Sequence, residues 1–295
     1  MAFMGQATAK TSAIPIRRPF FPYVREGRHY DAPYAKDPGL SAFWGVLSLA
    51  FPEGEKFFVD SVKRYSHQIS DVLRKDVVGF AGQESMHAKE HVTFNARILP
   101  PRAEKAIRWS HRRVDTLLRL GRTRLSRRMQ IAVTCALEHF TATLAEQLLT
   151  IPEHRDAIDP DVRGMWLWHA LEELEHKSVA YDVFEEVGGT YPERVVAMVI
   201  ATFFLCEYLG EATARVLYAQ SKLRPKHVSA LYRSLLKYPG LVPRLMPKYL
   251  DYYRRDFHPT DHDTTELLAQ WREALFDEER GTLRDAMKAP LREVA

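Results

Sequence analysis

Apolar positions in this chain recur in alternating steps of three and four over most of its length, the period of an α-helix that buries one face. The pattern predicts helices near 39–66, 69–98, 103–120, 125–150, 161–187 and 192–221, with shorter ones near 226–237, 243–255 and 263–287. Pro52 falls inside the first and is expected to kink or split it, because proline brings no N–H to the helix ladder. No run alternates with a period of two between turn residues, so an all-α fold is expected. Residues 1–38 scatter Pro15, Pro19, Phe20, Phe21 and Pro22 without a helical period, and read as an arm that lies across the domain or is partly disordered. The expected organisation is this arm, a four-helix bundle over 39–190, and C-terminal helices over 191–295 packed on the bundle as one domain.

Four of the apolar stripes are interrupted by charge. In the second predicted helix, Val77, Phe80, Glu84, His87, His91, Phe94 and Ile98 share a face; later, Trp166, His169, Glu173, His176, Ala180, Val183 and Val187 repeat the design. Glu55 sits among Leu47, Phe51, Phe58 and Val62, and Glu138 among Ile131, Cys135, Ala142 and Ala145. Carboxylates on a buried stripe are costly unless paired. Two Glu-x-x-His pairs, each preceded by a lone Glu on another helix, would partner one another around two metal ions inside a bundle. Glu84 with His87 and Glu173 with His176 would form the terminal sets, and Glu55 and Glu138 would add carboxylates, some bridging. His169 shares the face of Glu173 and His176 and reads as a further imidazole ligand.

Around these, His91 reads either as a ligand or as a group that orients one. Glu172 could substitute if its helix turned by part of a turn, as Glu53 could for Glu55; Glu175 reads as a surface carboxylate. Asp182, little more than a turn past His176, reads as an outer partner of a ligand histidine, and Tyr181 as core. His258 and His262 read as surface groups, with capping of the cavity as the alternative. A carboxylate-rich, cysteine-poor set suits two irons first, manganese or a mixed pair next, and zinc less well.

Composition narrows the setting. With 46% hydrophobic and 27% charged residues the chain is that of a folded soluble protein, and a net charge of +4 does not by itself call for nucleic acid. Two cysteines, Cys135 and Cys206, and no apolar segment after Arg17 and Arg18 point to the cytoplasm. Basic residues crowd Arg102–Arg128, which reads as a solvated face, with a surface for anionic lipid or an anionic carrier group as the alternative. The apolar run from Val195 to Cys206 reads as a buried core helix; contact with a membrane surface is the other reading, so peripheral membrane association stays open, as does a homodimer.

The strings Gly54-Glu55-Lys56-Phe57-Phe58, Gly82-Gln83-Glu84-Ser85-Met86-His87, Leu137-Glu138-His139-Phe140-Thr141 and Trp168-His169-Ala170-Leu171-Glu172-Glu173-Leu174-Glu175-His176-Lys177 resemble a bacterial family described as predicted metal-dependent hydrolases. The segment from Tyr252-Tyr253-Arg254 to Phe257-His258-Pro259 is similar to that family's ending. The ligand order also resembles ferritin-like di-iron oxygenases of the p-aminobenzoate N-oxygenase group, whose last metal helix similarly carries His-x-x-x-Glu-x-x-His. That resemblance implies Glu55, Glu84, His87, Glu138, His169, Glu173 and His176 as ligands.

The leading expectation is therefore a di-iron oxidase or oxygenase. It would use O₂ and an electron donor on a hydrophobic or amine-bearing small molecule, in a pocket walled by Phe80, Phe94, Phe140 and Trp166. The alternative is a hydrolase using a metal-activated water. Metal storage or a purely structural bundle comes last.

Overall fold

Several of the helices start where the sequence supplies a capping side chain. The structure, a computed structural model, describes residues 14–19, 21, 33–277 and 282–283. In it α1 (Pro38–Lys63) begins at Asp37, whose side chain accepts the Leu40 N–H at 3.0 Å, with Pro38 in the first turn where its missing N–H costs nothing. Ser70 and Ser126 cap α2 (Asp71–Ile98) and α4 (Arg127–Thr150) in the same way, and Asp159 followed by Pro160 opens α6 (Pro160–His176). The remaining helices are α3 (Glu104–Arg124), the short α5 (Pro152–Asp156), α7 (Val179–Glu186), α8 (Tyr191–Ala219), α9 (Pro225–Leu231), α10 (Leu241–Asp251) and α11 (Thr265–Leu275). Among the described residues the only strand pairing is two residues long, β1 (Phe276–Asp277) against β2 (Thr282–Leu283), so the fold is all-α.

The architecture pairs α1 with α2 and α4 with α6. The two pairs meet through α1 on α4 and α2 on α6; α3 and α8 cover α1 and α4 on the outside. Phe57, Val62, Phe80, Ile131 and Ala136 fill one part of the core, and Phe94, Met165, Trp168 and Leu171 another. Burying each such large apolar side chain contributes roughly 1.5–3 kcal/mol, so the interior between the two pairs is where polar groups cost most.

Four expectations need correction. Pro52 does not split α1, which runs unbroken through it. The Ser48 carbonyl, which loses its helical donor to Pro52, accepts instead from Asn95 Nδ2 of α2 at 3.0 Å. The single helix expected over 161–187 is two, separated at Lys177–Ser178, where the Lys177 ammonium reaches the His262 carbonyl and Thr264. The helix expected to 287 ends at Leu275 and turns into β1. Finally, the run Val195–Cys206 is not a core helix: Ala197, Met198 and Ala201 are buried, but Val196, Val199 and Phe203 face outward, the last 64% exposed. By length and composition α8 is long and apolar enough to cross a membrane.

Most of the expected N-terminal arm lies outside the described residues. The part within them runs along α2, where Ile14 and Ile16 press against Gly79 and Gly82. A Cβ at Gly79 would lie 2.5 Å from Ile14 Cβ and 2.7 Å from its carbonyl oxygen, so that close approach requires glycine, whereas one at Gly82 would meet the end of the Ile16 side chain.

Candidate metal centre

Glu55 of α1, Glu84 and His87 of α2, Glu138 of α4, and His169, Glu173 and His176 of α6 point into one space between the two helix pairs. None is more than 4% exposed. Periodicity explains the convergence: Glu84 and His87 are one turn apart on one helix face, and His169, Glu173 and His176 span two turns of another. His176 Nε2 lies 3.0 Å from Glu84 Oε1, 3.6 Å from Glu138 Oε2 and 3.8 Å from Glu173 Oε2. His87 Nδ1 lies 3.8 Å from Glu84 Oε1 and 3.7 Å from Glu173 Oε1, and His169 Nε2 lies 3.8 Å from Glu55 Oε1. Ligand-type atoms of Glu84, Glu138 and His176 fall within 4.8 Å of one another, as do those of Glu55, Glu84 and His87, and those of His87, His169 and Glu173.

The hydrogen bonds behind the imidazoles fix which nitrogen faces inward. Gln83 donates from Nε2 to the Pro15 carbonyl and to Glu175, so its Oε1, 2.8 Å from His176 Nδ1, accepts a proton from that nitrogen. His87 likewise donates from Nε2 to Glu172 Oε2 at 3.1 Å. Behind His169 the chain is longer. Asn95 Nδ2 is committed to the Ser48 carbonyl, so Ser48 Oγ donates to Asn95 Oδ1 and accepts from His91 Nδ1 at 2.7 Å. His91 Nε2 is then an acceptor, taking the His169 Nδ1 proton at 2.7 Å. With the imidazoles neutral, every outward nitrogen carries the proton and every inward one presents a lone pair.

The inward atoms lack partners. Both carboxylate oxygens of Glu55, Glu84 and Glu138, Glu173 Oε2, His87 Nδ1 and His176 Nε2 are buried without a hydrogen bond. His169 Nε2 and Glu173 Oε1, two acceptors when the imidazole is neutral, stand 2.7 Å apart. Such an assembly repels itself unless cations fill it, and the donor set of four carboxylates and three imidazoles is one that iron or manganese accepts.

Titration follows the same logic. Burial, reinforced by Glu84 and Glu173, pushes Glu55 and Glu138 well above the ordinary carboxylate range. Burial opposes the charging of His87, yet Glu172 and Glu84 raise it to about 9; Glu173 and Glu84 raise His176 well above its usual value in the same way. Against burial, the neighbouring imidazoles hold Glu173 well below its ordinary range. Burial, with His169 and His87 nearby, keeps His91 well below its usual value, in line with its role as an uncharged acceptor. Without metal, protons on His87 and His176 supply the missing positive charge, while burial and His87 keep His169 below its usual value.

Other expected residues fall elsewhere. Glu172 does not face the centre; it holds His87 from behind and receives Arg17 at 3.0 Å. Asp182 touches none of the histidines in the cluster: it binds His258 Nε2 at 2.8 Å and Ser178 Oγ at 2.8 Å, because the break after His176 turns α7 away. Glu53 is half-exposed and outside the clusters. Glu175 is no surface carboxylate; its side chain is 1% exposed and held by Arg17 and by Arg272 at 2.7 Å. His258 and His262 are half-buried rather than on the surface, His262 bonded to Asp251. Tyr181 donates to the Phe257 carbonyl at 2.6 Å in the core. Gln83, Arg17 and Arg272 carry no local signal, since their partners lie far away in the chain.

Phe80 packs on His176 and Trp166 on His91, with ring centroids 5.0 and 5.3 Å apart. An apolar cavity of about 360 Å³ lies between α1, α3, α4 and α8. A narrow one of about 30 Å³ shares Leu47, Phe51, Thr141 and Leu144 with it and reaches His169 and Glu173.

Fold and site together define an all-α protein with a buried carboxylate–imidazole cluster. The profile of a family described as predicted metal-dependent hydrolase matches residues 17–263, and the chain belongs to that family. No curated protein and no solved structure matches it.

Proposed function

We propose that the chain is a metal-dependent enzyme whose dinuclear centre is held by Glu55, Glu84, His87, Glu138, His169, Glu173 and His176. The observation that carries this reading is the set of inward oxygens and nitrogens of these residues, most of them partnerless, with the imidazoles oriented by the hydrogen bonds they donate to Gln83, Glu172 and His91. Bound divalent ions would supply positive charge able to acidify a water, or, as iron, electrons for O₂. The chain's own residues hold the ions, fix the imidazole tautomers and surround the centre with apolar side chains that exclude bulk water.

For the reaction, the family's description supports hydrolysis by an activated water, with one of the carboxylates as base. A second reading, oxidation of a hydrophobic small molecule by O₂ at two irons with an external electron donor, is favoured by one specific observation. The donor set is rich in carboxylates, contains no cysteine, and is bordered at His169 and Glu173 by an almost wholly apolar pocket.

The test loads the purified protein anaerobically with ferrous iron and, separately, with manganese or zinc. Metal content, O₂ consumption and turnover of an ester panel are then measured. Two ions per chain are expected, with Glu84→Ala and His176→Ala each binding fewer than one. Ester turnover independent of O₂ supports hydrolysis, and O₂ consumption by the iron form without ester turnover moves the assignment to oxidation. Full metal loading in both alanine variants would refute the centre itself.

A further inference from the structure

We propose that the large cavity binds a linear long-chain carboxylate, with its anionic end at Arg124 and its chain directed toward Glu173 and His169. The link to chemistry at those two residues rests on the metal-centre reading above; the binding itself does not.

The cavity's shape sets the chain. Apolar cavities of about 150 Å³ already stay dry and admit a benzene-sized ligand, and this one holds about 360 Å³. Its walls follow α4 from Val133 to Leu144, about 16 Å at the helical rise, so the space is long as well as apolar. The narrow pocket that shares Leu47, Phe51, Thr141 and Leu144 with it has His169 and Glu173 on its wall. The polar side chains on the wall are already bonded elsewhere: Thr141 donates to the Glu138 carbonyl at 3.1 Å and Tyr208 to the Val46 carbonyl at 3.2 Å. A ligand body with hydrogen-bonding groups would leave them unmet there, whereas a methylene chain would not.

Charge sets the head. Arg124 is the one charged residue on the wall, and it belongs to the exposed part of the lining together with Leu120 and Phe204. It follows Leu117, Leu120 and Gly121 on a single face of α3, so its side chain lies on the exposed side of the lining. Among the described residues no carboxylate pairs with it. A guanidinium at the mouth of an apolar channel favours a carboxylate there and the tail inside.

Binding of octanoate, dodecanoate, hexadecanoate and dodecanol is measured by calorimetry on full-length protein kept metal-free with chelator. Each buried methylene adds roughly a factor of four in affinity, so dodecanoate, four methylenes longer, should bind roughly 250-fold more tightly than octanoate. Arg124→Ala should weaken dodecanoate about tenfold and leave dodecanol unchanged. Gly54 lines the cavity, and a Cβ there meets nothing within 4 Å. Gly54→Leu therefore fills the space at a helical position that favours leucine over glycine, and should abolish the dependence on chain length. Equal affinity for octanoate and dodecanoate, or wild-type binding by the Gly54→Leu protein, would overturn the inference. Chain binding by a protein that takes up no metal would sink the metal-centre reading alone; metal uptake without chain binding would sink this inference alone.

Discussion

Glu55 and Glu138 each bury both carboxylate oxygens without a donor, and that fact sets the stability of the metal-free protein. Their pKa values in the fold are raised by burial and by Glu84 and Glu173. For an acid shifted upward, the favourable contribution is present at low pH and is lost as pH rises from the unfolded value through the folded one. Near neutral pH these glutamates therefore weigh against folding, and neutralising one relieves the strain. Metal-free Glu55→Gln is expected to be more stable than metal-free wild type at about pH 7.5, by roughly 1–3 kcal/mol, the scale on which an unmet buried polar group acts. In the metal-loaded form the order should reverse, because the amide is a poorer ligand. Denaturant melts with and without chelator check both signs. A Glu55→Gln protein less stable than wild type in chelator would mean that Glu55 has a stabilising partner in the fold.

At the level of elements, α1 and α2 are joined by a substitution of hydrogen bonds. Pro52 removes a helical donor from the Ser48 carbonyl, and Asn95 of α2 replaces it while holding the Ser48 hydroxyl that supports His91. Asn95→Leu should cost about 1–3 kcal/mol, the penalty for leaving a buried acceptor unmet. In a Pro52→Ala background the alanine N–H can return to the Ser48 carbonyl, so the same change should cost less. A double-mutant cycle by chemical denaturation reads the coupling, and additive effects would show that the two residues act independently. The sequence makes the meeting of Glu84, His87, Glu173 and His176 legible because the helical period alone puts each pair on one face. It does not reveal Asn95 as the partner of Ser48, or Gln83 and Arg17 as supports of α6. Those contacts join residues 47, 93 and 155 positions apart and depend on how the helices pack. The break at Lys177–Ser178 is hidden for a related reason: no glycine or proline marks it, and its anchor is the distant His262 carbonyl. In α8, hydropathy shows an apolar run but not which side the other helices cover.

For the molecule as a whole, metal uptake, proton release and stability are one linked equilibrium. In the metal-free fold His87 is raised to about 9 by Glu172 and Glu84 against burial, His176 is raised by Glu173 and Glu84, and Glu55 and Glu138 are shifted toward their protonated forms. An entering ion must displace those protons, because it binds the neutral imidazole and the ionised carboxylate. Affinity should therefore rise with pH up to about 9, where His87 loses its proton without help, and by at least about tenfold per pH unit if one proton leaves per ion. Manganese separates this effect from oxidation. Its dissociation constant between about pH 6 and pH 8, with proton release read from calorimetry in two buffers of different ionisation enthalpy, gives the number displaced. Stability should follow in step: at free metal one hundred times the dissociation constant the fold gains about 2.7 kcal/mol, and chelator removes it. Affinity that stays flat over this range, with no buffer dependence of the heat, would mean that the inward nitrogens carry no protons. The positive charge that balances the four carboxylates would then have to come from elsewhere in the protein.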